Sequence, residues 1–331
     1  MYLERVQALV HEGLHELPPQ FIRPLNERPL NSQAVKGLIN PPLISLSQPR
    51  DMVVKEISAA AKEWGFFAIK DHGVPASLIQ QLQNVGQEFF ALPQNEKEKY
   101  ANDPSKGKFE GYGTKLTRNP DDKLEWIDYF FHIMAPSSKI DYEIWPRDPP
   151  LYREVTEEYN KEIQRITDEI LGHLSEGLGL EEKTLKTKLG DELEVEMKIN
   201  MYPPCPQPEL ALGVEAHTDM SALTILLPNH VPGLQIWKDD TWVAVDYLQD
   251  ALYIHIGDQI EVLSNGKYKS ILHRSVVNKD ETRMSWAVFC VPPSDTVIGP
   301  LPELVNDHNP ANYSTKTYAQ FRYNKINKLP Q

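Results

Sequence analysis

Residues 215–227 read Glu-Ala-His-Thr-Asp-Met-Ser-Ala-Leu-Thr-Ile-Leu-Leu. The run at 222–227 is apolar and rich in β-formers, the composition of a buried strand. Glu215 to Asp219, just before it, carry polar chemistry instead. The same β texture recurs at 195–202, 233–238, 241–246, 251–256, 268–274 and 283–291, with turn residues between the runs. Strands at this spacing leave little room for intervening helices. The sheet is therefore expected to fold back on itself as a barrel or jelly roll.

Upstream of about residue 190 the period changes. Leu3, Val6, Leu9, Val10 and Leu14 fall at helical spacing between Met1 and Glu16, and Pro18 and Pro19 end that helix. Stretches 53–64, 78–92, 151–178 and 181–189 also predict helices, while 43–46 and 65–70 predict short strands. Trp126 to Met134 reads as extended and aromatic. Residues 101–123 are rich in Gly, Lys, Asn, Asp and Pro and predict a long loop. The expected class is mixed α/β with a mainly β core. A mostly helical region, 1–190, precedes a strand-built region, 191–331, that ends in a helix, and helices pack outside the strands.

The chain of 331 residues is long enough for a sizeable core, and 40% apolar with 24% charged residues marks it as globular. A net charge of −13 repels phosphate backbones and anionic lipid. Nucleic acid and membranes are thus poor partners, and a small molecule is the expected one. No stretch approaches the ~18 apolar residues of a membrane span, and Met1 to Glu16 lacks a signal-peptide core. The two cysteines, Cys205 and Cys290, make no disulfide framework and read as buried thiols. A cytoplasmic monomer is expected.

His217 and Asp219 are two apart, and in an extended segment such residues share a face. His273 follows 54 positions after Asp219, in another short β run. Two imidazoles and one carboxylate make a three-ligand face. The open positions suit iron(II) that holds a co-substrate and dioxygen; a zinc hydrolase could use the same set with water. A bare His-x-Asp recurs by chance. Among ten histidines, His11, His15, His173, His230 and His308 read as surface or helix residues. His72 reads equally well as a core histidine. Spacing alone leaves His255 open as a core residue or as an alternative third ligand.

Arg283 and Ser285, ten and twelve positions after His273, also share a strand face. A guanidinium offers two parallel donors to a carboxylate, and a hydroxyl adds a third. Beside a metal, the pair could grip the far end of a dicarboxylate. The competing reading is a rim arginine paired with a surface acid.

Taken together, His217-Thr218-Asp219, His273 and Arg283-Met284-Ser285 resemble the motifs of the plant 2-oxoglutarate/Fe(II)-dependent dioxygenase family. So do residues 200–206, Asn-Met-Tyr-Pro-Pro-Cys-Pro, together with Gly65-Phe66-Phe67 and Asp71-His72-Gly73-Val74. The resemblance spans nearly the whole chain. Stretches 210–214, 263–269, 300–304 and 325–330 are most similar to flavonol synthases and anthocyanidin synthases. It implies a double-stranded β-helix (jelly roll) with flanking helices. It implies iron held by His217, Asp219 and His273, and 2-oxoglutarate held by Arg283 and Ser285 with Tyr202 and Asn200 assisting. Dioxygen is then the oxidant and ascorbate the accessory reductant. Tyr129, Phe131, Lys198 and Phe289 match substrate-pocket positions, and Val291 stands where those enzymes commonly carry a glutamate. The implied reaction hydroxylates or desaturates a small phenolic, a flavonoid foremost and another specialised metabolite or hormone as the alternative. A silent metal-binding protein on the same fold is the remote alternative. Loop 101–123 and the segment after 305 are candidate lids.

Overall fold

A computed structural model describes residues 5–29, 38–114, 123–190 and 192–331. Its helices are α1 (Val6–His11), α2 (Arg50–Glu63), α3 (Ala76–Ala91), α4 (Gln94–Lys97), α5 (Tyr152–Gly177), α6 (Thr184–Leu189), α7 (Asp258–Leu263) and α8 (Tyr318–Ile326). The strands of the first half are β1 (Leu38–Ile39), β2 (Leu43–Ser45), β3 (Phe66–Lys70), β4 (Gly111–Thr114) and β5 (Asp128–Ala135). Those of the core are β6 (Glu194–Tyr202), β7 (Val214–His217), β8 (Leu223–Pro228), β9 (Leu234–Lys238), β10 (Thr241–Val245), β11 (Leu252–Ile256), β12 (His273–Ser275) and β13 (Arg283–Val291). Two short strands, β14 (Val297–Ile298) and β15 (Lys316–Thr317), pair with each other.

The strands form a sheet of eight, in the order β2-β3-β11-β8-β13-β6-β5-β4, and a sheet of five, β1-β10-β9-β12-β7. The two sheets are the walls of the jelly roll. The eight-stranded sheet draws four strands from each side of residue 190, so the two expected regions share one wall.

Side-chain parity gives that wall two different faces. Val195, Met197, Ile199 and Met201 of β6, with Met284, Trp286, Val288 and Cys290 of β13, join one large apolar cluster with residues of α2, α3 and α5. Long α5 supplies Val155, Tyr159, Ile163, Ile166, Ile170 and Leu174, the three- and four-residue spacing of a helix stripe. The alternate residues face inward. There Phe66, Ala68, Leu226, Tyr253 and Ala287 meet Leu234, Ile236, Val243 and Val245 of the other sheet.

Three expectations need correction. Residues 101–123 are not wholly loop: β4 pairs antiparallel with β5, while 115–122 lie outside the described residues. The run at 268–274 is a strand only from His273. Tyr268 instead turns its ring into the helix layer, where its hydroxyl donates to the Leu174 carbonyl at 2.9 Å, and α7 precedes it. The helix expected over 1–16 narrows to Val6–His11, with Gly13 in the left-handed region (φ 79°) just beyond its end.

Candidate metal centre and substrate cavities

The chain reverses between β7 and β12 so that His217 and His273 are direct cross-strand partners. Their ring centroids lie 4.3 Å apart. Asp219 sits just past the end of β7, buried, so it reaches the same point from a loop rather than from the strand. One ligand atom from each of His217, Asp219 and His273 lies within 4.8 Å of the other two. Asp219 Oδ1 is 3.5 Å from His217 Nε2 and 3.8 Å from His273 Nε2. These separations are long for hydrogen bonds and suit donors that share one ion.

The backbone orients both rings. His217 Nδ1 lies 2.8 Å from the Glu215 carbonyl, and His273 Nδ1 lies 3.0 Å from that of Ile271. With Nδ1 protonated, each Nε2 is left with its lone pair toward Asp219, the arrangement that metal-binding histidines use. Burial pushes His273 down to about 3, with the neighbouring His217 adding to the fall, so its ring is neutral. Burial alone would raise the Asp219 carboxyl, but His273 and His217 hold it far below the usual carboxylate range. Its Oδ2 is buried without a hydrogen-bond partner among the described residues. A neutral imidazole, an ionised carboxylate and an orphaned oxygen fit a divalent cation.

His255, the other candidate third ligand, approaches the far oxygen: its Nδ1 is 3.7 Å from Asp219 Oδ2. It stands on β11 of the opposite sheet, its ring packed edge-on against Phe66 and His273. It belongs to the shell around the three donors.

Arg283 begins β13 and is 1% exposed. Its Nη2 donates to the Tyr247 hydroxyl at 2.9 Å and its Nη1 to Ser275 Oγ at 3.4 Å, and the guanidinium lies 4.7 Å over the Tyr202 ring. Its Nε has no partner, and among the described residues no carboxylate pairs with it. A buried guanidinium without a counter-ion is costly. The rim-arginine reading therefore fails, and a carboxylate from outside the chain fits the place. Gly233 makes room for it, because a Cβ there would stand 2.5 Å from Arg283 Cδ and 2.8 Å from the Val276 carbonyl. Ser285 follows on the same face, and Asn200 Nδ2 donates to its Oγ at 3.3 Å.

A cavity of about 80 Å³ joins these groups, lined by the three donors together with Arg283, Ser285, Asn200 and Tyr202. Lys198 and Phe289 line its other end. A second cavity, about 570 Å³, opens beyond it between Phe131, Ile133, Glu194, Glu196 and Arg322. Tyr129, expected in the substrate pocket, lines neither cavity: it is the cross-strand partner of Asn200, its ring 4.4 Å under the Lys198 ammonium and its hydroxyl accepting from Asn102 at 2.9 Å. Val291, expected in the substrate pocket, lines neither cavity: it is packed under α8 against Tyr318 and Phe321. The segment after 305 thus folds as β15 and α8 over this end of the barrel, and Lys325 of α8 donates to Thr218 Oγ1 and Asp258 Oδ2.

Sequence reading missed Tyr247 and Ser275. Ser275 had a signal, since it lies two residues past His273 on one strand; Tyr247 follows β10 in no motif, and only the fold brings it to Arg283.

Comparison with known proteins gives one answer at two levels. Residues 194–292 match the 2OG-Fe(II) oxygenase superfamily, and residues 41–148 match the non-haem dioxygenase in morphine synthesis N-terminal family. The chain is 51% identical to flavonol synthase 1 of Crocosmia x crocosmiiflora, with all of both chains covered. It is 45% identical to leucoanthocyanidin dioxygenase of Perilla frutescens, over 97% of this chain and 93% of that one. The crystal structure of JOX2 in complex with 2OG, Fe, and JA superposes with a TM-score of 0.91 at 41% identity, covering 98% of this chain and 93% of that chain.

Proposed function

The chain belongs to the 2OG-Fe(II) oxygenase superfamily, and on that premise we propose that it oxidises a flavonoid-class phenolic, with His217, Asp219 and His273 as the iron ligands. It is a 2-oxoglutarate-dependent dioxygenase and uses iron and 2-oxoglutarate. Iron, 2-oxoglutarate and dioxygen supply the oxidising chemistry once bound. The protein supplies placement and a dry site.

The observation that carries this reading is Arg283, a buried cation with no carboxylate partner among the described residues, in the cavity that also holds the three donors. Arg283 and Ser285 grip the far carboxylate of 2-oxoglutarate, with Tyr202 under the guanidinium and Asn200 orienting the serine. The near end of the co-substrate is thereby held toward the donors. Hydrogen-bonded carbonyls keep both imidazoles aimed at one point, and the Asp219 carboxylate balances part of the cation's charge.

Substrate enters from the 570 Å³ side, within the usual range for a small-molecule site. Phe131 and Phe289 offer apolar faces to a planar ring, and Tyr129 steadies the Lys198 ammonium from outside the cavities. The outer cavity carries Glu110, Asp141, Glu143, Glu194 and Glu196 against Lys99, Lys108 and Arg322. That balance favours a neutral polyhydroxylated substrate over an anion. The named flavonoid enzymes among the relatives support the same class. We read the enzyme as a cytosolic monomer, which sedimentation and cell fractionation test. A second reading, the same chemistry on another metabolite, draws on position 291, where the resemblance implies a glutamate and this chain instead has a valine packed under α8.

The test is a panel of dihydroflavonols, flavanones and unrelated phenolics, scored by substrate-dependent succinate and by product mass. Succinate release with dihydroflavonols or flavanones, and a product changed by one oxygen or two hydrogens, is expected. Turnover confined to the unrelated phenolics transfers the assignment to the second reading.

A further inference from the structure

One face of β6 runs from the inner cavity to the outer. Tyr202, Asn200 and Lys198 line the first; Glu196 and Glu194 line the second. Same-face residues stand about 6–7 Å apart along a strand. Glu196 is therefore one step beyond Lys198, and roughly 13 Å along the strand from Asn200. That is the reach of a three-ring phenolic whose near ring lies at the metal end.

The strand neighbours of Glu196 are apolar, while Glu194, Glu110 and Arg322 line the same cavity. The cross-strand partners of Glu196 are Phe289 on β13 and Ile133 on β5. Val291, two residues past Phe289, is buried under α8. A carboxylate here, 12% exposed, carries a desolvation penalty. Its ion pair with Arg322 of α8 is 3.9 Å long, so it recovers little of that penalty. A carboxylate so poorly repaid in the fold, facing a cavity of substrate size, has a second use.

We propose that Glu196 is the specificity-determining anchor of the outer cavity: its carboxyl group bonds a ring hydroxyl of the substrate while Phe131 covers the ring, and Arg322 positions the carboxyl. This rests on the phenolic reading above. Burial pushes the Glu196 carboxyl up to about 7, with Arg322 pulling the other way and Glu194 adding to the rise. Near neutral pH it can therefore accept from a hydroxyl or donate to one.

The experiment uses the full chain loaded with iron(II) and 2-oxoglutarate. Wild type, Glu196→Gln and Glu196→Met are run on pairs of phenolics that differ by one ring hydroxyl, flavonoid and non-flavonoid. Glu196→Met is expected to raise KM for the hydroxylated member about tenfold, the usual worth of one hydrogen bond to a charged group. The kcat value, the KM of the deoxy partner and the 2-oxoglutarate requirement stay within about twofold. Glu196→Gln keeps an acceptor and loses less. Equal KM changes for both members of every pair, or none, overturn the anchor and leave the flavonoid reading standing. Turnover of only non-flavonoid pairs overturns the flavonoid reading, and the KM split within those pairs still decides Glu196. No turnover of any pair overturns both. If neither Glu196 variant folds, Arg322→Met decides in their place: a KM rise confined to hydroxylated members upholds the anchor, and any other pattern removes it.

Discussion

At the scale of the residue, the site is a set of uncompensated groups. Among the described residues, Asp219 leaves one buried oxygen without a partner, and Arg283 leaves a buried charge without an acid. Such groups are expensive, and a bound ion and a bound dicarboxylate remove both penalties together. Asp219→Ala should lower cobalt(II) affinity by at least about a hundredfold, more than changes to groups behind the ligands cost. Circular dichroism should show the fold retained; a variant that titrates with cobalt like wild type rules Asp219 out as a ligand. Arg283→Ala should raise the 2-oxoglutarate KM by about a hundredfold, the worth of two charge-assisted hydrogen bonds. Gly233→Ala tests the same contact from behind. A methyl group 2.5 Å from Arg283 Cδ must displace that side chain, so the 2-oxoglutarate KM should rise while cobalt binding stays unchanged.

At the scale of the element, strand parity divides the work. On β6 and β13 one set of alternate residues builds the helix-facing core, and the other set carries Asn200, Lys198, Glu196, Arg283 and Ser285. A one-residue slip of register would exchange the two sets and end both functions. Helix α3 holds that register from outside. Its Gly86 lies against the Trp286 ring of β13, where a Cβ would stand 2.8 Å from the indole. Alanine is ordinarily worth about 1 kcal/mol over glycine inside a helix. Here the clash should win, because overpacking a filled core costs about 1–3 kcal/mol. Gly86→Ala should therefore lower the urea midpoint; a raised midpoint shows that α3 can shift away from the sheet.

At the scale of the whole molecule, the proposed co-substrate grip stands at the Arg283 end of β13 and α8 covers the opposite, Val291 end, with the three donors facing the space between the sheets. The centre lies between the two sheets: His217 and His273 come from the five-stranded wall, and Arg283 and Ser285 from the eight-stranded one. Ligands that bridge both walls stabilise the folded state and have no comparable site in the unfolded chain. Anaerobic addition of a non-oxidising divalent metal with 2-oxoglutarate, near a hundredfold over the dissociation constant, should add about 2.7 kcal/mol and raise Tm by several degrees. Removing the metal with a chelator should reverse the shift. A Tm indifferent to both would place the ligands elsewhere than between the walls.

Local pattern carried most of the core strands, the long helix α5, and the pairs His217/Asp219 and Arg283/Ser285, because period two and period 3.6 are properties of adjacent residues. The sequence also pointed to His273, though it left His255 as a rival. In the tertiary structure cross-strand pairing puts His273 opposite His217, while His255 stands on the other sheet. The same holds for β4, for Tyr268 turned into the helix layer, for Tyr247 at Arg283, and for Glu196 facing Arg322 across 126 positions of chain. None of these has a local signature. Each depends on which strands become neighbours, and that is settled by burying the whole apolar surface at once rather than by any one segment.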